Sequence, residues 1–284
     1  MFKSILCKGG AHMDENVLTA LGLTLLAGLS TGIGGAIAFF TRKTNTKFLS
    51  VALGFSVGVM VYISFMEILA DAQQTLIGEL GKRPGMIVSL LAFFGGMLAI
   101  ALIDKLVPDF ENPHETRRVE DIRGDEPPEW MMKKNSLLRV GLFTALAVGI
   151  HNFPEGFATF MATVKDPNIG LGIAIAVAIH NIPEGIAVSM PVYYASESRP
   201  KAFLYSFLSG LSEPVGALIG YLILSRFLTD VMFGIVFAAV AGIMVYISFD
   251  QLLPTAREYG EHHLSIYGLV SGMAVMAVSL LIFG

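Results

Sequence analysis

Eight stretches of the chain, at roughly 16–40, 50–73, 84–104, 138–163, 168–194, 201–225, 230–254 and 264–284, are apolar for 20 residues or more and keep Lys and Arg out of their interiors. A bilayer's hydrocarbon core is crossed by about 20 helical residues, so each run is long enough to span it. Lipid offers backbone N–H and C=O groups no partner, which leaves a helix as the economical solution for each run. The expectation is an all-α, polytopic membrane bundle of eight transmembrane helices. Composition agrees: 54% of residues are hydrophobic and 15% charged, against about 25% charged in a soluble domain. A net charge of −4 gives no basic footprint for nucleic acid. The single cysteine, Cys7, has no partner in its own chain.

Residues 1–15 read as an N-terminal tail whose Gly9-Gly10-Ala11-His12-Met13 looks like a cloning scar before a start at Met13. Residues 16–104 carry helices one to three, 105–137 a polar loop, 138–194 helices four and five, and 195–284 helices six to eight. The loops after the odd-numbered spans hold 13 Lys and Arg, while the N-terminal segment and the loops after even-numbered spans hold 6. The positive-inside rule then makes the long loop cytoplasmic and both termini extracytoplasmic. Compact loops point to the plasma (inner) membrane of a prokaryote.

Two internal repeats constrain the layout further. AVGIHNFPEGFA (147–158) matches AVAIHNIPEGIA (176–187) at nine of twelve positions, and GVMVYISFMEILADA (58–72) matches GIMVYISFDQLLPTA (242–256) at nine of fifteen. Gly28-Leu29-Ser30 against Gly210-Leu211-Ser212 nearly keeps the second offset. Spans one and two thus correspond to six and seven, span four to five, and three is left to pair with eight. Matched spans are an odd number of crossings apart and run in opposite directions, a 3+2+3 inverted repeat. Carriers built this way hold substrate near the midplane.

The repeated letters are polar. His151 and Glu155, like His180 and Glu184, stand at i and i+4 on one helical face, with Asn152 and Asn181 three residues before their glutamates. Pro154 and Pro183 cannot donate to the carbonyl four residues back, which predicts kinks with freed carbonyls at Ile150 and Ile179. Glu213 adds a carboxylate beside Pro214. Every Lys and Arg falls in a loop or at a helix end, so none neutralises these carboxylates. Each costs about 2.5–3.5 kcal/mol at mid-membrane on insertion scales. Protons or a metal ion must compensate. Imidazole with carboxylate and amide oxygen suits Zn, Fe(II), Mn or Co, and the spans hold no Cys for a thiolate site.

Glu67 in span two and Asp250 in span seven occupy neighbouring positions of the repeat and are candidates for the mouth and exit of a path, with Met60 and Met66 as soft donors beside it. Other His and Glu residues, such as Glu111, His114, Glu115, His262 and His263, belong to solvated loops.

With HNFPEG (151–156), HNIPEG (180–185) and Gly-Leu-Ser-Glu (210–213) in hand, the chain resembles the ZIP family of divalent-metal permeases, the Zrt- and Irt-like proteins, and within it a bacterial heavy-metal uptake branch. The resemblance covers all eight spans. It implies a metal site among helices four, five and six, with Asn152, Glu155, His180, Asn181, Glu184 and Glu213 as ligands and His151 touching the ion or lying beside its ligands. It also implies inward movement of zinc, with iron, manganese, cobalt or cadmium, by alternating access, in a homodimer. The metal is then transported substrate, the chain has no catalytic cofactor, and it is not an enzyme. The long loop departs from its histidine-rich counterparts in having only His114.

Two other functions compete. A proton- or calcium-coupled cation exchanger shares inverted repeats and midplane carboxylates, and the imidazoles of His151 and His180 argue against calcium, which takes oxygen. An intramembrane metalloenzyme needs an open coordination position with an acid or base beside it, and no HExxH occurs.

Overall fold

The computed structural model describes residues 15–40, 46–106, 134–196, 198–224, 229–258 and 262–283. The tail expected at 1–14 and most of the polar loop, 107–133, lie outside these residues, as does the side chain of His151. The described residues contain no strand. The helices are α1 (Glu15–Phe40), α2 (Thr46–Ile63), α3 (Leu69–Leu80), α4 (Lys82–Leu106), α5 (Lys134–Lys165), α6 (Pro167–Ser196), α7 (Arg199–Gly210), α8 (Ser212–Leu224), α9 (Asp230–Ile247), α10 (Leu253–Glu258) and α11 (His262–Phe283).

The bundle is apolar outside and polar within. Leu91 is 69% and Leu281 84% exposed, while Glu155, Glu184, Glu213 and His180 are buried. Water would expel such a surface, and a bilayer accepts it. Among the described residues, seven helical segments are long and apolar enough to cross a membrane. The protein is a multi-pass membrane helical bundle. The fourth predicted span lies in α5, a 32-residue helix that is not among the seven and that carries His151, Asn152, Pro154 and Glu155.

Local chemistry fixes the ends. Thr229 caps α9, its hydroxyl accepting from the Met232 N–H at 3.2 Å, with Asp230 adding favourable charge in the first turn. Gly81 ends α3 at φ 86°, a conformation that a side chain disfavours, so α3 turns directly into α4. Helices α5 and α6 are continuous through Pro154 and Pro183. The break falls in span six at Leu211, between α7 and α8 and just ahead of Glu213 and Pro214.

Spans two and seven each contain a π-turn that no residue pattern predicts. Ser64–Ile68 joins α2 to α3 and Ser248–Leu252 joins α9 to α10, with Leu69 N–H donating to Ser64 O and Leu253 N–H to Ser248 O. The two turns occupy matching positions of the YISF repeat and hold Glu67 and Asp250.

Glycines let backbones touch, and their crossings sort the helices into two sets. A Cβ at Gly28 would overlap the Gly210 carbonyl oxygen and one at Gly210 that of Gly28; Gly34 meets Ile182, Gly185 meets Thr31, Gly156 meets Glu213 and Gly216 meets Phe153. These tie α1 and α5–α8 together. Gly54 and Gly58 on α2 meet Ser265 and Leu269 on α11, while Gly96 on α4 and Gly242 on α9 meet Ala239 and Phe93. These tie α2, α4, α9 and α11, with α3 and α10 attached. Each of these crossings joins helices of the same set.

Candidate metal centre

The site grows out of the α5–α6 hairpin. Asp166 sits at the joint and accepts from the Asn168 N–H at 2.9 Å, capping α6, with Pro167 in the first turn, where its missing donor costs nothing. So short a joint lays the two motif copies antiparallel and face to face. Glu155 of one helix then meets His180 of the other, Oε1 to Nε2 at 2.9 Å, with both side chains buried.

His180 Nδ1 lies 3.1 Å from the Ala176 carbonyl oxygen. A carbonyl only accepts, so Nδ1 carries the proton and Nε2 is turned toward Glu155. Although close, Nε2 and Oε1 are not aligned as a hydrogen bond, and neither has another partner. Metal–ligand bonds of about 2.0–2.2 Å place neighbouring ligand atoms about 3 Å apart. The observed separation suits two atoms that share an ion.

Both asparagines are held by their amide nitrogens. Asn152 Nδ2 donates to Ser209 O at 3.4 Å; Asn181 Nδ2 donates to Ala27 O at 3.0 Å and to a carboxylate oxygen of Glu213. Anchoring the nitrogen leaves the oxygen to point elsewhere. Asn152 Oδ1, Asn181 Oδ1, both oxygens of Glu155, His180 Nε2 and Glu213 Oε2 are buried without a hydrogen-bond partner. With Nδ1 holding the imidazole proton, these atoms all present lone pairs. Protons or a metal ion would answer such a cluster, whereas a water would supply only two protons among its members.

Glu184, one turn beyond His180, is equally buried, and its charge acts on His180 and Glu213. Among the described residues no three His, Cys, Asp or Glu side chains form a ready-made metal group. The structure instead gathers two couples, Glu155 with His180 and Asn181 with Glu213. His151 is on the helix between Ile150 and Asn152, with its side chain outside the described residues.

Hydroxyls that sequence reading passed over hold this backbone in place. Ser206 Oγ reaches the carbonyls of Thr31 and Gly185 at 2.9 and 3.0 Å, clipping α1, α6 and α7 together. Ser56 on α2 donates to the His180 carbonyl at 3.0 Å. The only signal for these roles is a serine inside an apolar span. A neighbouring cleft of about 570 Å³ between α5 and α7–α8 is lined by residues such as Leu146, Ile150, Phe153 and Leu208 and includes none of the buried ligand candidates. Its apolar walls are not a chamber for an ion.

The path candidates Glu67 and Asp250 sit in the two π-turns. Ser56 fixes the level of His180 on α2, and Glu67 lies 11 residues further on, about 16 Å along the helix. There Asp71, Lys165 and Asp166 act electrostatically on Glu67, and Lys165 forms an ion pair with Asp71. Asp250 is exposed in the other π-turn. It precedes Ala256, whose carbonyl accepts from Ser50 at 2.6 Å near the opposite end of α2. Met60 is fully buried between the levels of Ser56 and Glu67.

Known proteins resemble this chain over nearly its whole length. The chain matches the ZIP zinc transporter family model over residues 16–280. It is 63% identical over 270 residues to the zinc transporter ZupT of Lysinibacillus sphaericus, covering 95% of this chain and 99% of that one. It is 60% identical over 273 residues to the zinc transporter ZupT of Nitratidesulfovibrio vulgaris, covering 95% and 99%. It is 56% identical over 284 residues to the zinc transporter ZupT of Clostridium perfringens, covering 97% and 99%. By the family match along its spans and by these near full-length likenesses, the chain belongs to the ZIP zinc transporter family.

Proposed function

We propose that the chain imports zinc, and with it iron, manganese, cobalt or cadmium, across a prokaryotic inner membrane by alternating access. The observation that carries this reading is the cluster of buried, unpartnered acceptors on Asn152, Glu155, His180, Asn181 and Glu213. An empty cluster is electrostatically costly and a loaded one is not. Binding therefore shifts the balance between outward- and inward-open forms by the difference in the ion's affinity for the two. The zinc named in the relatives' descriptions supports the choice of ion.

Several structural pairings support the eight-span, 3+2+3 inverted repeat. The two π-turns match, Gly28 and Gly210 cross reciprocally as repeat-mates on a two-fold axis would, and the packing of α2 on α11 is echoed by that of α9 on α4. In this reading α1 and α5–α8 carry the ion as a unit past the remaining helices. The ion enters near Glu67, sheds water against Glu155, His180, Glu184 and the asparagines, and leaves past Asp250. Pairing into a homodimer and extracytoplasmic termini belong to the same reading, on the family likeness and the Lys and Arg distribution.

The test is zinc entry into liposomes that hold a zinc-sensitive dye. Saturable entry in the wild-type protein, abolished by Glu155→Ala and by Glu184→Ala, is the expected result. Tight metal binding without entry would point instead to an intramembrane metalloenzyme or sensor.

A further inference from the structure

Buried hydroxyls in apolar helices ordinarily bond to a carbonyl one turn back. Several here do so: Thr24 bonds to Ala20 at 2.8 Å, Ser64 to Met60 at 2.6 Å, Thr163 to Thr159 at 2.8 Å and Ser248 to Met244 at 2.8 Å. Among the described residues the buried hydroxyls of Thr31, Ser89 and Thr159 have no partner, and of these three only Thr159 stands on the helix that carries Glu155. The Thr159 side chain is 1% exposed, yet Oγ1 has no partner. A buried polar group left in this state costs about 1–3 kcal/mol.

Thr159 stands at i+4 from Glu155, on the same face of α5 and about 6 Å toward the Lys165 end. That face runs along α6, since Glu155 meets His180 below and Thr163 lies against Gly170 above. Between them α6 reads Leu-Gly-Ile-Ala-Ile-Ala-Val-Ala-Ile (171–179), with no polar side chain to serve the hydroxyl. On α2, Met60 is one turn beyond Ser56 and so at about the same level. Glu67 and Lys165 lie further in the same direction.

Resting on the transport reading above, we propose that Thr159 Oγ1 is an oxygen donor for the incoming divalent cation, engaged one turn before the ion reaches the Glu155–His180 pair. The hydroxyl oxygen is a hard donor, so it favours manganese more than zinc relative to a passage without it.

The experiment compares Thr159→Val, which keeps the shape and removes the hydroxyl, with Thr159→Ser, which keeps the hydroxyl. Initial rates of zinc and manganese entry are measured in dye-loaded liposomes over a range of concentrations, together with thermal unfolding. Thr159→Val is expected to lower kcat/KM for zinc by about tenfold and for manganese by more, while unfolding at the wild-type temperature or above. Thr159→Ser is expected to stay within about twofold of wild type in both respects. Wild-type entry that Thr159→Val leaves unchanged would overturn this inference alone, and so would equal losses in both variants accompanied by a lower unfolding temperature. No entry by the wild-type protein would overturn the transport reading and this inference with it.

Discussion

Helices α1 and α5–α8 bury Asn152, Glu155, His180, Asn181, Glu184 and Glu213, whereas among the described residues the buried polar side chains of α2–α4 and α9–α11, with their π-turns, are serines. Both sets are closed by the same device, glycine against a facing backbone. They differ in what fills the space. In the second set Ser64 and Ser248 are satisfied on their own helices, and the rest of the interior is Met60, Met244, Phe233, Phe237 and their neighbours. Among the described residues of that set only the buried Ser89 Oγ lacks a partner. The first leaves acceptors on Asn152, Glu155, His180, Asn181 and Glu213 without a hydrogen-bond partner, which protons or a metal ion would answer. The difference also shows in what joins them: Ser56 to the His180 carbonyl, Ser279 to Gly172 O at 3.2 Å, the Phe157–Phe237 ring pair, and Lys165 to Asp71.

If the contrast holds, the largest effect comes from disarming the site. Glu155→Gln should lower zinc entry by about 100-fold or more and abolish the stabilisation that zinc gives. The empty protein should unfold no earlier than wild type, because a buried carboxylate has been replaced by a neutral amide of the same shape that still meets His180. Thermal scans with and without zinc decide this, and an earlier unfolding of the empty variant would mean that Glu155 is structural. Next is Gly28→Ala, which drives a methyl into the Gly210 carbonyl and should cost about 1–3 kcal/mol, while Gly22→Ala, with open space around it, should be neutral or stabilising. Equal unfolding temperatures for the two would contradict the packing described.

The contacts between sets should matter less. Ser56→Ala removes one hydrogen bond to a main-chain carbonyl and should cost about 0.5–1.5 kcal/mol, with the zinc entry rate changed more than the zinc affinity. Asp71→Asn should cost no more than about 1 kcal/mol, since the Lys165 pair is partly exposed, and the loss should shrink in high salt. A larger cost for either would mean that the two sets are one rigid body.

The sequence carried the spans because polarity is so rare in this chain, and for the same reason the His-Asn-Glu pair stood out within them. The matching faces of α5 and α6 followed from i, i+4 spacing together with the shortness of the joint at Asp166. The π-turns were hidden because one extra residue in a turn leaves no mark on an apolar run, although the YISF repeat was visible. Serine roles were hidden for a related reason. Ser64 bonds within its own helix and Ser56 also reaches another, yet both are a serine among apolar residues. The division into two sets depends on which glycines face which backbone, and one strand of text does not contain that. Pro154 and Pro183 predicted kinks with freed carbonyls at Ile150 and Ile179, and both helices are continuous through them.

The most direct test ties the sets together. With Cys7 replaced by Ser, Asp71→Cys and Lys165→Cys are joined by a short thiol linker that reduction cleaves, and zinc entry is compared before joining, after it and after cleavage. Entry that stops on joining and returns on cleavage, with zinc still bound throughout, is the predicted result. A joined protein that carries zinc at the unjoined rate would contradict the movement of one set past the other.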